Sequence, residues 1–408
     1  MAGSSITHYL IHLVNFILGN LDSKEATAIL AAIVDFAKAF NRQSHNRLIV
    51  IMHELGIPGW LLKLVASYLT NRTMVVNYNG HTSSEKDMNA GSPQGTLLGV
   101  LLFILQVTGL RTFPKVPAPE IIVPPAVKQP NTSCKYIDDF TAASVIKLKP
   151  NLMRSDDIVK PVVYHSRTGH VLPDDKNPLA KQVKNVQNFA VDNFMKLNTK
   201  KTNIMLFTRA KKYDFQPELY IDNDLLNVVE VTKLLGVMIS SDLKWKENVQ
   251  YIVSRCMKRL WMLRRIRELG GSSGDLLTVY KLQIRCLAEL ACPVWNGALT
   301  INDSLRLERI QKNAARIILG QNYLTYENAL SILNIPKLSD RRKDLCLKFA
   351  LKASKNNKYS AWFQETIKKT KTSQKYKLPY VRTTAYQKSP LIYLAKLLNE
   401  HTLKTNPS

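Results

Sequence analysis

Residues Ala28-Ile29-Leu30-Ala31-Ala32-Ile33-Val34-Asp35 place seven apolar side chains in a row ahead of a carboxylate. A run this short, rich in small and β-branched residues, reads as a buried strand that ends at Asp35. A second acidic pair, Asp138-Asp139, falls at the tip of a hairpin read over residues 134–144. Between the two sites, residues 45–55 and 60–69 repeat apolar positions at three- and four-residue spacing, with Gly56-Ile57-Pro58-Gly59 breaking the pattern, so two helices joined by a turn are expected. Asn79-Gly80 then marks a hairpin, and the Gly91 to Gly95 loop opens an apolar helix ending near Leu105. Six prolines in the eighteen residues 113–130 exclude a helix or central strand there, and residues 151–173 form a second irregular insertion. A helix over 180–195 and strands over 203–208 and 225–239 restore the alternation.

Beyond Asp242 only helices are read, over 248–269, 276–290, 303–319, 326–333 and 340–353. The sequence therefore predicts an α+β unit over residues 1–240, a helical unit over 241–353 and a tail over 354–408. Lys368, Lys369, Lys371, Lys375 and Lys377 mark that tail as basic and flexible or loosely docked.

The chain has 57 Lys and Arg against 31 Asp and Glu, a net charge of +26, which favours a polyanionic partner. The longest apolar run, Leu97 to Leu105, is far short of the roughly 20 residues that span a bilayer. The opening segment lacks a basic start and is interrupted by His12 and Asn15, so an intracellular protein without a membrane partner is expected. Cys134, Cys256, Cys286, Cys292 and Cys346 are too scattered for a disulfide framework or zinc knuckle and are expected to be reduced and mostly buried.

Two divalent metals roughly 3.5–4 Å apart are what nucleotidyl transfer requires, and Mg²⁺ demands hard oxygen ligands. A carboxylate ending one strand, facing carboxylates at a neighbouring hairpin tip, supplies them. Taken singly, Asp35 or Asp138-Asp139 is as readily a turn or helix-cap residue. Their company decides. Val34-Asp35-Phe36-Ala37-Lys38-Ala39-Phe40, Gly91-Ser92-Pro93-Gln94-Gly95-Thr96-Leu97-Leu98-Gly99, Tyr136-Ile137-Asp138-Asp139, Met195-Lys196-Leu197-Asn198-Thr199-Lys200-Lys201-Thr202 and Lys233-Leu234-Leu235-Gly236-Val237 follow one another. In that order they resemble motifs A to E of the non-LTR (LINE-type) retrotransposon reverse transcriptases, and the resemblance covers roughly residues 5 to 350.

The resemblance implies a polymerase palm, an antiparallel sheet with packed helices, followed by a helical thumb. It implies RNA-directed DNA synthesis from an RNA template, a DNA primer and deoxynucleoside triphosphates, in the nucleus or a cytoplasmic ribonucleoprotein. Asp35, Asp138 and Asp139 would hold two Mg²⁺, with Mn²⁺ as a substitute. Phe40 would exclude a 2′-hydroxyl, Gln94, Gly95 and Tyr136 would contact the nucleotide, and Leu235 and Gly236 would form the primer grip. Lys201 would protonate departing pyrophosphate, with Lys196 and Lys200 as competitors.

Residues 244–267 hold eight basic residues against one acid, interleaved with Trp245, Tyr251 and Trp261. Lys258, Arg259, Arg264 and Arg265 are thus expected on a duplex backbone, the alternative being a solvated helix face with its aromatics in the core. Asn41, Val100 and the stretch Gln106 to Leu110 depart from the family pattern without removing a metal ligand. Only 34 residues precede Asp35. That implies a chain without the endonuclease domain and most of the fingers, and allows a relic that binds nucleic acid without turnover. A metal-dependent nuclease is disfavoured, because the blocks resemble polymerase motifs.

Overall fold

A computed structural model describes residues 5–23, 27–92, 96–108, 110, 131–136, 139–147, 178–209, 217–366 and 374–405. Its centre is a mixed sheet of five strands: β1 (Thr27–Val34), β2 (Asn131–Tyr136), β3 (Asp139–Lys147), β4 (Asn203–Thr208) and β5 (Asn227–Val228). Their spatial order is β5-β4-β1-β3-β2, every pair antiparallel except β5 with β4.

The apolar run at 28–34 is explained by the position of β1 between two helical layers. Helix α1 (Ile6–Leu21) brings Leu10, Val14 and Ile17 into one core with Ile29 and Ala31. Ala28, Leu30, Ala32 and Val34, on the other face, share a second core with residues 179–190. A strand buried on both faces needs no polar alternation, and burying Ile29 completely contributes on the order of 2–3 kcal/mol.

Among the described residues, the other α-helices of seven residues or more are α2 (His45–Glu54), α3 (Gly59–Leu69), α4 (Leu97–Val107), α5 (Pro178–Asp192), α6 (Lys246–Glu268), α7 (Ser273–Val279), α8 (Ile301–Leu319), α9 (Tyr326–Leu333), α10 (Leu338–Ser354) and α11 (Pro390–Thr405). Helices α2, α3 and α4 enclose a third cluster built on Leu48, Met52, Val65, Leu69 and Leu102. Asn77–Tyr78 pairs with His81–Thr82 around Asn79 and Gly80, both at positive φ as a tight hairpin requires. The helix expected over 276–290 is instead interrupted: α7 gives way to a π-helical turn at Tyr280–Arg285 before one more short helix.

The core that begins under α1 passes through the hairpin β6 (Val231–Leu234) and β7 (Val237–Ser240) into α6, α8 and α10, crossing residue 240 without a break. It also includes α11. Within the basic tail, residues 374–405 are docked, with Leu391, Leu394, Leu397 and Leu398 buried. Asn399 accepts the backbone N–H of Tyr376 at 2.8 Å, and the Asp22 carboxylate accepts the backbone N–H of Arg382 at 3.0 Å. The apolar spacing at 391, 394 and 398 was present in the sequence, masked by the lysines before it.

Among the described residues, Cys256, Cys292 and Cys346 are buried free thiols and Cys286 is an exposed one, in keeping with the expectation of mostly buried thiols. The proline-rich insertion at 113–130 and that at 151–173 lie outside the described residues. Among the described residues no helix is long and apolar enough to cross a membrane.

Candidate active site

Asp35 follows directly on β1, at the end of the sheet where β3 begins. The last pair of that ladder is Val34 with Phe140, and Asp139 precedes Phe140. Continuing the antiparallel register by one residue sets Asp35 opposite Asp139, where Cα atoms lie roughly 4.5–5.5 Å apart. Tyr136 pairs with Asp139 across the β2–β3 ladder. Asp138 lies outside the described residues, and for Asp139 and Tyr136 the backbone alone is described.

The backbone of Asp35 is held by the segment that resembles motif D. Its N–H donates to Thr202 Oγ1 at 3.2 Å, and its carbonyl accepts the Asn198 N–H at 2.8 Å. Phe36 bridges to Leu197, and the Ala37 N–H donates to the Lys196 carbonyl at 2.8 Å. Thr202 is completely buried, so its hydroxyl is a local substitute for the next rung of the sheet. Lys196, Lys200 and Lys201 are all exposed at the same turn, and nothing in their surroundings singles out Lys201.

The start of the segment resembling motif B rests on the short turn Ala39–Arg42. Gly91 N–H donates to the Gln43 carbonyl at 2.8 Å and Ser92 N–H to the Phe40 carbonyl at 2.9 Å. Gly91 has φ +92°, and a Cβ there would lie 3.0 Å from the Asn41 carbonyl oxygen and 3.1 Å from that of Phe40. Only glycine meets both demands. His45 Nε2 lies 2.7 Å from the Gly91 carbonyl oxygen, clasping the same turn. Gln94 and Gly95 lie outside the described residues. Phe40 is half-buried and stands 4.9 Å, centroid to centroid, from Phe103 of α4. One part of its ring thus belongs to the core, while the rest is accessible.

Sequence reasoning missed Thr202, Gly91 and His45. It also treated Gln106 as a departure, although Gln106 is buried and donates from Nε2 to the Asn193 carbonyl at 3.2 Å, tying α4 to the end of α5. Arg47 Nε donates to Asn193 Oδ1 at 3.2 Å from α2.

Leu235 and Gly236 form the two-residue turn between β6 and β7, with φ of 50° and 85°. Behind that turn Lys233 Nζ lies 5.3 Å from the centre of the Tyr251 ring, and Arg255 donates to the Tyr251 hydroxyl at 2.9 Å. Hydrogen bonding from Lys233, then from Arg255, lowers the Tyr251 phenol from its ordinary range. On α6, Lys258, Arg264 and Arg265 are exposed, but Arg259 is half-buried and donates to the Gln283 carbonyl. Arg265 pairs with Glu268 at 2.9 Å.

Residues 8–252 match the reverse transcriptase (RNA-dependent DNA polymerase) family, more than half of the chain. The chain belongs to the reverse transcriptase family. It is 25% identical over 335 residues to the probable RNA-directed DNA polymerase from transposon X-element of Drosophila melanogaster, covering 81% of this chain and 32% of that protein. The RNA-directed DNA polymerases from mobile element jockey are 23% identical over 345 residues in Drosophila melanogaster and 24% over 355 residues in Drosophila funebris. Each match covers 83% of this chain and 34% of the relative. This reverse transcriptase thus spans about a third of the length of those relatives. The non-LTR retrotransposon type read from the motifs holds, and with it comes a palm-type fold.

The family generally uses divalent metal ions. The register that sets Asp35 opposite Asp139 fits this, because it brings two aspartate positions together at one end of the sheet, and carboxylates are hard donors. Among the described residues, which omit Asp138, no cluster of three metal-binding side chains forms.

Proposed function

We propose that this chain carries the palm and thumb of an RNA-directed DNA polymerase of a non-LTR retroelement. The observation that carries the reading is the strand register joining the end of β1 to the start of β3, with the Asp35 backbone anchored by Asn198 and Thr202. The five-stranded sheet with α1 and α5 is the palm, and the helices from α6 onward form the thumb.

Asp35, Asp138 and Asp139 would hold two Mg²⁺, or Mn²⁺ in their place. When bound, such ions lower the pKa of a primer 3′-hydroxyl and neutralise charge on the triphosphate. The protein's share of the work is positioning. Gln94 and Gly95 orient the incoming deoxynucleotide, Phe40 closes the space a 2′-hydroxyl needs, and Leu235-Gly236 supports the primer end. Attack of the 3′-hydroxyl on the α-phosphate releases pyrophosphate, which one of the motif D lysines, Lys196, Lys200 or Lys201, protonates. Lys258 and Arg265 on the outer face of α6 meet the duplex backbone.

The test is primer extension on an RNA template with Mg²⁺, comparing the chain with Asp138→Asn. Incorporation that disappears in the variant, with duplex binding retained, is the expected result. Duplex binding without incorporation by the unaltered chain assigns it instead as a catalytically impaired relic. Full extension by Asp138→Asn sinks the metal assignment.

A further inference from the structure

Of the five tryptophans, Trp245, Trp295 and Trp362 are buried, whereas Trp60 on α3 and Trp261 on α6 are exposed, and of these two only Trp261 lies on the basic helix. A helix advances 100° per residue, which places Trp261 between two basic edges of α6: Lys258 and Arg265 on one side, Arg264 and Arg267 on the other. The second edge opens into a cleft of about 480 Å³ between α6 and α8, lined by Arg264, Arg267, Glu268, Asn313, Arg316 and Ile317.

The cleft is built. Arg267 Nη1 donates to the carbonyls of Arg316 and Ile317 at the end of α8. A Cβ on Gly320, at φ +56°, would overlap the Arg267 guanidinium, so glycine is what leaves room for it. Arg316 is held over the Tyr323 ring at 5.4 Å. The single carboxylate, Glu268, is already engaged by Arg265, and Arg264 forms no ion pair among the described residues. Three arginines, one of them with Nη1 already given to α8, therefore line the cleft with one paired acid, on the face of α6 next to the exposed indole.

We infer that this cleft and Trp261 bind an unpaired strand of RNA or DNA, its phosphate among Arg264, Arg267 and Arg316 and a base stacked on the Trp261 indole. The inference rests on the polymerase reading above and extends it. Guanidiniums recognise phosphate oxygens through paired N–H donors. The unpaired state follows from the indole, since a duplex keeps its bases stacked on one another and offers Trp261 a π-face only at its two ends, whereas a single strand offers one at every nucleotide.

The experiment measures binding of the full chain to a labelled single-stranded RNA, a blunt RNA–DNA duplex and the same duplex with a single-stranded template extension. Both altered side chains are solvent-exposed, so Trp261→Leu and Arg264→Gln test the site without disturbing the core. Trp261→Leu is expected to weaken the single strand and the extended duplex roughly tenfold while leaving the blunt duplex within about twofold. Arg264→Gln should lower the salt slope by about one on the same two ligands. Equal weakening on all three ligands makes α6 a duplex face and overturns the site; unchanged binding to all three overturns it too and leaves Trp261 as a protein contact. If the unaltered chain binds the single strand alone, and Trp261→Leu loses it, the site stands and the polymerase reading falls. No binding to any ligand removes both.

Discussion

Thr202 is one methyl away from valine, and that difference bears on the metal-binding end of β1. Thr202→Val keeps the shape but removes the acceptor for the Asp35 N–H. Leaving a buried donor unpaired costs about 1–3 kcal/mol. Urea unfolding should show a loss of that size, extension should fall with it, and Thr202→Ser should restore both. Normal stability in Thr202→Val would mean that the Asn198 contact suffices to hold the strand end. Phe40 tests a different consequence of local geometry. Its ring packs on Phe103 yet remains half-exposed, so Phe40→Ala should lower stability and also raise ribonucleotide incorporation. A stability loss with unchanged discrimination in single-nucleotide addition would return Phe40 to the core. Neither contact is readable from spacing: 167 residues separate Asp35 from Thr202, and 63 separate Phe40 from Phe103.

Helix α6 shows how an element divides its labour. Val249, Ile252, Cys256, Leu260 and Leu263 face the core, and Lys258 and Arg265 face outward. That stripe was legible, because a 3.6-residue period separates the two faces without any knowledge of neighbours. What periodicity left undecided is which basic residues are available. Arg259 lies on the boundary and is committed to the Gln283 carbonyl, whereas Arg267 gives only Nη1 to the end of α8 and keeps the rest of its guanidinium at the cleft. Replacing Lys258 and Arg265 together by Ala should flatten the dependence of log affinity on log salt for blunt duplex by up to about two phosphate contacts, at roughly 0.9 per contact on B-form DNA. The same pair of changes leaving the slope intact would place both side chains on a merely solvated face. The elements themselves were largely legible where period and punctuation agreed, as in α2, α3 and the Asn79-Gly80 hairpin. The π-helical turn at Tyr280–Arg285 was not, since a change in backbone pitch leaves the apolar spacing almost as it was.

At the scale of the whole molecule, α1 is packed between the sheet and the C-terminal segment. His8 stacks on Tyr359 at 4.1 Å and lies 4.7 Å from Phe349, with Nδ1 accepting the Ser5 N–H at 3.1 Å. Burial lowers its pKa to about 4, and the positive charges of Lys358 and Lys352 push the same way. A histidine depressed from 6.5 to about 4 on folding favours the folded state above pH 6.5 and loses that contribution as pH falls through about 4, because the unfolded chain then binds the extra proton. Stability should therefore decline between pH 6.5 and 4 by more in the native chain than in His8→Phe, as read by urea unfolding at each pH. Parallel pH profiles for the two would remove His8 as the titrating group. The sequence by itself determined the apolar strand that stops at Asp35, the order of the five motif blocks and the basic stripe, because each depends on residues near one another in the chain. Tertiary structure alone decided that the Asp35 backbone is anchored by Asn198 and Thr202, that Gly91 lies on the Phe40 turn, and that residues 374–405 join the core through α1. These are contacts between segments tens to hundreds of residues apart, and local periodicity carries no information about which buried face meets which.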